Sequence, residues 1–459
     1  MPAWYESRFT GLFTLFVRVE PRPHDPSLPM TAGEMPPWNI GEPEIGCAGA
    51  GWTAEASEQA CVGEGIERLL ARALPRDASV EASWKSWPLD EPAVEPTRWV
   101  LFHRDQYDSR DFPFSPLTPE TVCRWVCCRE AITGEPVWVP EELMFLVPRR
   151  GEAIEESRHP ACRGGSRASA LPVTSESSSA EAREPLGQAQ WRLSHTLGEH
   201  QRHTFGFSTG LSSGRIGDPV LLRGAQEVIE RDALVGGWWG IYPVEEWPVE
   251  TVRELLGDDV WQRVDRPNLA YRFYHIRTPF SAHVTLVSVS GLDREGWVFS
   301  VGSACRETRR ESWLKSLLES VQGRHCVRRL LAQWHEEGRK PLEIPTTFFE
   351  HALFYALRPD LLLHTVLGEE VKPSADPNVD VVETLRDLQT KVGADRPILF
   401  RNLTPLGLAT PPFDWLVLRV VIPGLQPLHG DHRLPFLGGE LWQGHDCGEW
   451  ARIRPHPFA

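Results

Sequence analysis

Residues 221–233 read LLRGAQEVIERDA, and within them Arg223, Glu227 and Glu230 stand four and three positions apart, with Arg231 directly after. Positions i, i+4 and i+7 share one stripe of an α-helix, so the segment aims a base and two carboxylates from a single face. At about 100° per residue, Leu221, Leu222, Ala225, Val228 and Ile229 fall on the other side. The same spacing occurs twice more. Residues 60–70, ACVGEGIERLL, place Ala60, Glu64 and Glu67 (then Arg68) opposite Val62, Ile66, Leu69 and Leu70. Residues 314–324, LKSLLESVQGR, place Lys315, Glu319 and Gln322 opposite Trp313, Leu314, Leu317 and Val321. For any one helix a solvated face is the plain reading. Three helices with one spacing point further. Glu64, Glu67, Glu227 and Glu230 would repel one another on a shared site unless a cation, alone or with phosphates, lay between them. Arg223 and Lys315 supply the charge that phosphates require.

Around these helices the chain reads as alternating short elements. Thr53 is a suitable N-cap for the first helix, which follows the turn Gly49-Ala50-Gly51. The turn FSTGLSSGRIGDP precedes the second helix, expected near 218–233, and the third is expected near 307–330. Strand-type runs occur at RWVLF (98–102), CRWVCC (123–128), PVWVP (136–140), YRFYHI (271–276), HVTLVSVSG (283–291) and WVFSVGSA (297–304). WLVLRVVIPGL (415–425) reads as a buried strand. The proline-rich run 21–39, PRPHDPSLPMTAGEMPPWN, cannot be continuous helix or a central strand on this reading. Residues 149–190 are rich in Ser, Glu, Arg and Gly without apolar periodicity, and read as a disordered insertion within a domain.

A net charge of −15 argues against a general nucleic-acid binder, which needs a basic footprint. The nine cysteines (47, 61, 123, 127, 128, 162, 305, 326 and 447) lack zinc-site spacing and read as reduced thiols of a cytoplasmic protein. The N-terminal twenty residues read as a strand, not a signal peptide, and no run reaches the roughly 18 apolar residues of a membrane span. No GxxxxGK[ST], dinucleotide fingerprint, GxSxG or HExxH occurs. His429-x2-His432 is a close pair that could seed a metal site, but a turn with hydrogen-bonded histidines is the expected outcome.

These segments, taken in order, resemble the YcaO family of ATP-dependent enzymes that modify peptide backbones. Residues 49–71 are similar to the family's first nucleotide motif, 125–146 to its linking β segment, 207–234 to its second motif and 313–324 to its third. Residues 416–438 resemble the segment before the tail. The resemblance implies an α+β fold, a large mixed α/β domain over 46–459 with motif helices packed on β-sheets, after a short N-terminal segment 1–45. It implies ATP and Mg2+ as cofactors. Glu64, Glu67, Glu227 and Glu230 match metal-holding positions. Arg223, Glu227, Lys315, Glu319, Gln322 and Arg324 match nucleotide-contacting ones, although an ideal wheel turns Arg324 away from Glu319. The implied reaction is cyclodehydration of Cys, Ser or Thr in a ribosomal precursor peptide to an azoline. Thioamide formation at the same site, or a scaffold without turnover, are the alternatives.

The tail Arg454-Pro455-His456-Pro457-Phe458-Ala459 is similar to the family's proline-rich terminus, which implies a catalytic role for the Ala459 carboxylate. Two departures stand out: Ala60 occupies a position where the family's motif has Ser, and the turn at 49–51 lacks a basic residue often found there. The segment before residue 45 is unlike a complete leader-binding domain, so a separate leader-binding partner protein is expected. Nucleic acid and membrane are not expected as partners, and a homodimer is left open.

Overall fold

The computed structural model describes residues 11–36, 44–73, 79–146, 202–340, 342–368, 381–411 and 413–458. The expected insertion at 149–190 and the terminal Ala459 lie outside them, as does Cys162. Among the described residues, thirteen strands form three sheets in which every pairing between these strands is antiparallel. Strands β1 (Leu15–Arg18), β2 (Met30–Met35) and β3 (Ile45–Ala50) make the first, in that order. The second has the order β11-β10-β9-β8, from β8 (Val244–Trp247), β9 (Ala270–Ile276), β10 (Val284–Asp293) and β11 (Gly296–Cys305). The third runs β4-β5-β12-β13-β7, with β6 paired to β5. Its strands are β4 (Val80–Ala82), β5 (Cys123–Glu130), β6 (Pro136–Pro140), β7 (Leu211–Arg215), β12 (Leu399–Asn402) and β13 (Trp415–Val421).

Among the described residues, the helices of seven or more residues are α1 (Ala54–Leu70), α2 (Val220–Trp238), α3 (Val249–Leu256), α4 (Asp258–Val264), α5 (Arg309–Glu336), α6 (Phe348–Leu357) and α7 (Leu385–Val392). Thr53 caps α1 by accepting the Ala56 N–H at 3.1 Å, and Thr308 caps α5 by accepting that of Glu311 at 3.2 Å. The apolar stripe of α1 buries Val62, Ile66 and Leu70 against Met35, Ile45 and Cys47 of the first sheet and Trp415 and Val417 of β13. On α5 the sheet-facing positions are Ser312, Ser316 and Ser320, all fully buried. Their small size lets the helix lie close on β10 and β11, where Ser316 Oγ meets Thr285 Oγ1 at 2.7 Å and Ser300 Oγ donates to the Ser320 carbonyl at 2.7 Å.

Glycine is required at two of these contacts. A Cβ on Gly49 of β3 would lie 2.3 Å from the Ser57 carbonyl oxygen and 2.4 Å from the Cys61 nitrogen of α1. A Cβ on Gly302 of β11 would lie 2.2 Å from the Ser320 nitrogen of α5. Each helix is thus seated on its strand with no side chain between them. Those contacts set how far each polar stripe stands from the others.

Two expectations are corrected. Within the proline-rich run, Met30–Met35 is the central strand of its sheet: Pro29 and Pro36 flank it, so no ladder donor is lost inside it. It pairs with β3 from Met30↔Ala50 to Met35↔Ile45. Residues 98–102, RWVLF, are not a strand. They leave a 3-10 turn (Pro96–Arg98), and Val100, Leu101 and Phe102 pack into an aromatic core.

Candidate functional site

The three stripes converge. One cavity of about 680 Å3 is lined by Ala60, Glu64, Glu67 and Arg68 of α1, by Arg223, Glu227, Glu230 and Arg231 of α2, and by Lys315, Glu319 and Gln322 of α5. Its floor and rim come from the end of β3, the turn and strand at Phe207–Arg215, Ser300 and Val301 of β11, and Trp415. Each stripe reaches the cavity because the opposite face of its helix is committed to the core.

Glu64 is oriented from both sides. Its Oε2 accepts the Ala48 N–H at 2.6 Å, and its Oε1 pairs with Arg68 at 2.7 Å. Arg68 is itself anchored on the Gly46 carbonyl at 2.7 Å. Glu230 is the most deeply set, 4% exposed, with Oε1 accepting from Ser303 at 2.6 Å and Oε2 from the Cys305 N–H at 3.1 Å. Arg231 lies between its neighbours, 3.6 Å from Glu227 and 3.5 Å from Glu230. Lys315 pairs with Glu319 at 3.0 Å. Arg223 is held by Glu307 and by Gln226 Oε1 at 2.9 Å, so its guanidinium is already fixed at the cavity rim.

The carboxylates are crowded enough to alter their acidity. Burial, with the charges of Glu227 and Glu64, pushes Glu67 up to about 8 against the opposing hydroxyl of Ser213. Burial, with Glu230, pushes Glu227 up to about 7 although Arg231 and Arg419 pull the other way. Burial and the neighbouring carboxylates therefore favour the protonated forms of Glu67 and Glu227 until a cation is bound. Such a set of hard oxygen donors fits a divalent cation such as Mg2+ or Ca2+. Arg68, Arg215, Arg223, Arg231, Arg306 and Lys315 on the same walls suit an anion that the cation would bring with it.

Arg324 is not brought to this cavity. It is 1% exposed, and its Nη2 donates to Asp293 Oδ2 at 3.0 Å within a buried group that includes Asp25 and Arg328. Two residues beyond Gln322 is 200° around the helix, which turns the side chain into the packed face. The tail does approach the cavity. Pro457 lines it, and the carbonyls of Arg454, Pro455 and His456 accept from Trp238, Tyr355 and His351 at 2.8, 2.7 and 2.7 Å.

Reading the helices alone missed two residues beside the quartet. Ser213 of β7 bonds Glu67. Arg419 of β13, 2% exposed, lies over the Phe207 ring at 5.1 Å and donates to the Leu143 carbonyl at 3.1 Å. Burial brings it down to about 10, while the charge of Glu227 acts to hold its proton. A single arginine inside the apolar strand WLVLRVV was the available signal.

Comparison with known proteins places the fold and the family. No curated protein matches the chain significantly. Among solved structures, a heterocyclase in complex with substrate and cofactor matches with a TM-score of 0.62 and 13% identity over 99% of this chain and 55% of its own length. This chain therefore spans about half of that protein. The E. coli microcin synthetase McbBCD complex matches at 0.56 and 14% identity, covering 97% of this chain and 96% of its own. The heterocyclase TruD matches at 0.52 and 14% identity over 88% and 49%. At these identities the likeness is one of fold. In sequence, the model described as YcaO cyclodehydratase, ATP- and Mg2+-binding, matches residues 48–171 and 163–426, most of the chain and all three polar stripes. The chain belongs to the YcaO family.

Proposed function

We propose that the cavity binds Mg2+ and ATP and that the chain activates backbone amides of a peptide, converting a Cys, Ser or Thr and its preceding amide to an azoline. One observation carries the reading: Glu64, Glu67, Glu227 and Glu230 from two helices meet Arg231 and Lys315 around a single cavity. The four glutamates would hold Mg2+, which supplies positive charge for phosphate oxygens. Arg231 keeps the quartet from repelling itself open, and Ala48 and Arg68 fix the rotamer of Glu64. Arg223, Lys315, Glu319 and Gln322 line the part of the wall where a nucleotide would be positioned.

In the reaction, the substrate's thiol or hydroxyl adds to the preceding carbonyl carbon. The resulting oxygen takes the γ-phosphoryl group of ATP, and phosphate then leaves as the C=N bond forms. Peptide and ATP give azoline, ADP and phosphate. The chain's part is positioning and charge neutralisation. Pro457 lines the cavity, and in this proposal the Ala459 carboxylate, which lies outside the described residues, serves as a proton acceptor. A partner protein recognises the leader, a reading supported by the multiprotein complex among the structures of similar fold, which is also known with pro-MccB17 bound.

Calorimetry with Mg2+ and ATP tests the site, and mass spectrometry of a co-expressed precursor peptide tests the chemistry. Loss of one water per ring supports the azoline reading; an oxygen-to-sulfur gain would replace it with thioamide formation. Ala60 favours a second reading, a scaffold that binds peptide without turnover, because the cavity wall lacks a hydroxyl there. That reading predicts no ATP affinity in the parent and recovery in Ala60→Ser.

A further inference from the structure

Beneath the tail lies a cluster of histidines that the proposed reaction does not use. His351 comes from α6, His429 from the loop after β13, and His456 from the tail, and all three are at most 3% exposed. A ring nitrogen of each lies within 4.8 Å of one from each of the others. Backbone carbonyls settle two of the tautomers. His351 Nδ1 lies 2.7 Å from the His456 carbonyl and His456 Nε2 lies 2.9 Å from that of His429, so each of these nitrogens carries the hydrogen and donates it. That leaves His351 Nε2 with a bare lone pair and no partner among the described residues. It leaves His456 Nδ1 with only a long contact, 3.3 Å, from the Phe458 N–H. Neither ring nitrogen of His429 has a partner among the described residues.

A buried polar atom without a partner is rare and costly. Here several lone pairs share one small volume, and no carboxylate belongs to the cluster. Burial keeps the rings neutral, taking His351 down to about 3 and the other two well below the ordinary imidazole range. Neutral imidazoles whose second nitrogen donates to a backbone carbonyl are the usual arrangement around a transition metal.

We propose that His351, His429 and His456 form a site for a divalent transition metal, Zn2+ in the first instance, that fastens the C-terminal tail to α6 and to the loop after β13. Three imidazole ligands with Zn–N distances of about 2.0–2.1 Å leave a fourth position for water or hydroxide. Tetrahedral geometry then needs N···N separations of about 3.4 Å, so metal binding must also turn His351 and His456 out of the stacked arrangement, 3.9 Å between ring centroids, that they hold here. The site is separate from the carboxylate cavity in both residues and ligand type: nitrogen donors select Zn2+ where the glutamates select Mg2+. Its consequence reaches that cavity, because Pro457, next to His456, is part of the cavity wall. Holding His456 sets where the last residues of the chain start.

The test is Zn2+ binding to the full-length protein after chelation, in the presence of excess Mg2+, read by calorimetry and elemental analysis, with Co2+ as a spectroscopic probe. The expected result is one Zn2+ per chain and visible Co2+ bands of four-coordinate, nitrogen-rich type. His351→Gln and His429→Gln should each weaken Zn2+ by more than about 100-fold, beyond the 10- to 100-fold that outer-shell partners cost. His429→Cys should keep the metal and add a sulfur-to-metal charge-transfer band, which distinguishes ligand loss from misfolding. Glu227→Gln should leave Zn2+ affinity unchanged. A folded parent that binds no Zn2+, or Zn2+ affinity that falls in Glu227→Gln and not in the histidine variants, would overturn the assignment.

Discussion

The Ala48 N–H donates to Oε2 of Glu64 at 2.6 Å, so the last turn of strand β3 aims a carboxylate that helix α1 carries. Strand and helix can do this because Gly49 lets their backbones touch. Removing the charge while keeping the shape should therefore separate binding from folding. Glu64→Gln and Glu227→Gln are expected to weaken Mg2+-dependent ATP binding at least about tenfold, roughly 1.4 kcal/mol, with thermal midpoints close to the parent. Unchanged affinity in Glu227→Gln would remove it from the site.

Arg324→Ala should do the reverse. The side chain is buried on Asp293, which Arg22 and Arg328 also hold at 3.0 and 3.1 Å. Stability should fall by about 1–3 kcal/mol in denaturant titrations, while ATP affinity of the folded fraction stays within twofold. A large loss of affinity without loss of stability would return Arg324 to the nucleotide site.

Gly302→Ala places a Cβ 2.2 Å from a backbone nitrogen of α5, where no flexible side chain can give way. A destabilisation of about 1–3 kcal/mol or more is expected, with weaker ATP binding, because Lys315 and Glu319 ride on the displaced helix. Gly407→Ala, which meets nothing within 4 Å, is the control and should unfold like the parent.

The pH dependence of the carboxylate cavity has a defined sign. Glu67 titrates near 8 and Glu227 near 7 in the folded chain, against 4.5 ordinarily. Between about 4.5 and 8 the folded state holds protons that the unfolded state has released, so the metal-free protein loses stability as pH rises through this window. A cation must displace those protons, so Mg2+ should bind more tightly at pH 8 than at pH 6 and release protons on binding. Thermal shifts with and without Mg2+ at the two pH values, and calorimetry in buffers of different ionisation enthalpy, check both statements.

His325 gives a slope of the opposite sign. Burial, with the nearby Arg328 charge, lowers it to about 4, and Arg328 Nη2 donates to its Nδ1 at 2.9 Å. The unfolded chain takes up this proton near 6.5 and the folded chain only near 4, so stability falls as pH drops from about 6.5 toward 4. One such group contributes at most about 1.4 kcal/mol per pH unit. Urea titrations at pH 7 and pH 5 should show a smaller difference in His325→Asn than in the parent.

Local pattern accounts for much of this fold and site. The i, i+4, i+7 stripes, the cap Thr53 and the strand-type runs of β9 to β11 are properties of consecutive residues, so they could be read before any tertiary contact was known. The family resemblance placed the stripes together. It could not say which side chains the packing would consume. Met30–Met35 became a central strand because Ile45–Ala50 pairs with it across a proline-rich connection, and no local rule records that pairing.

What the sequence determined by itself was the set of helical faces, since periodicity and capping depend on neighbours within one or two turns. Only the tertiary structure decided that Arg324 is taken up by Asp293, that Arg419 stands behind Glu227, and that His351, His429 and His456 share one volume. Those outcomes depend on segments about 30 to about 190 residues apart, whose charges and lone pairs interact only after the core has closed and excluded water.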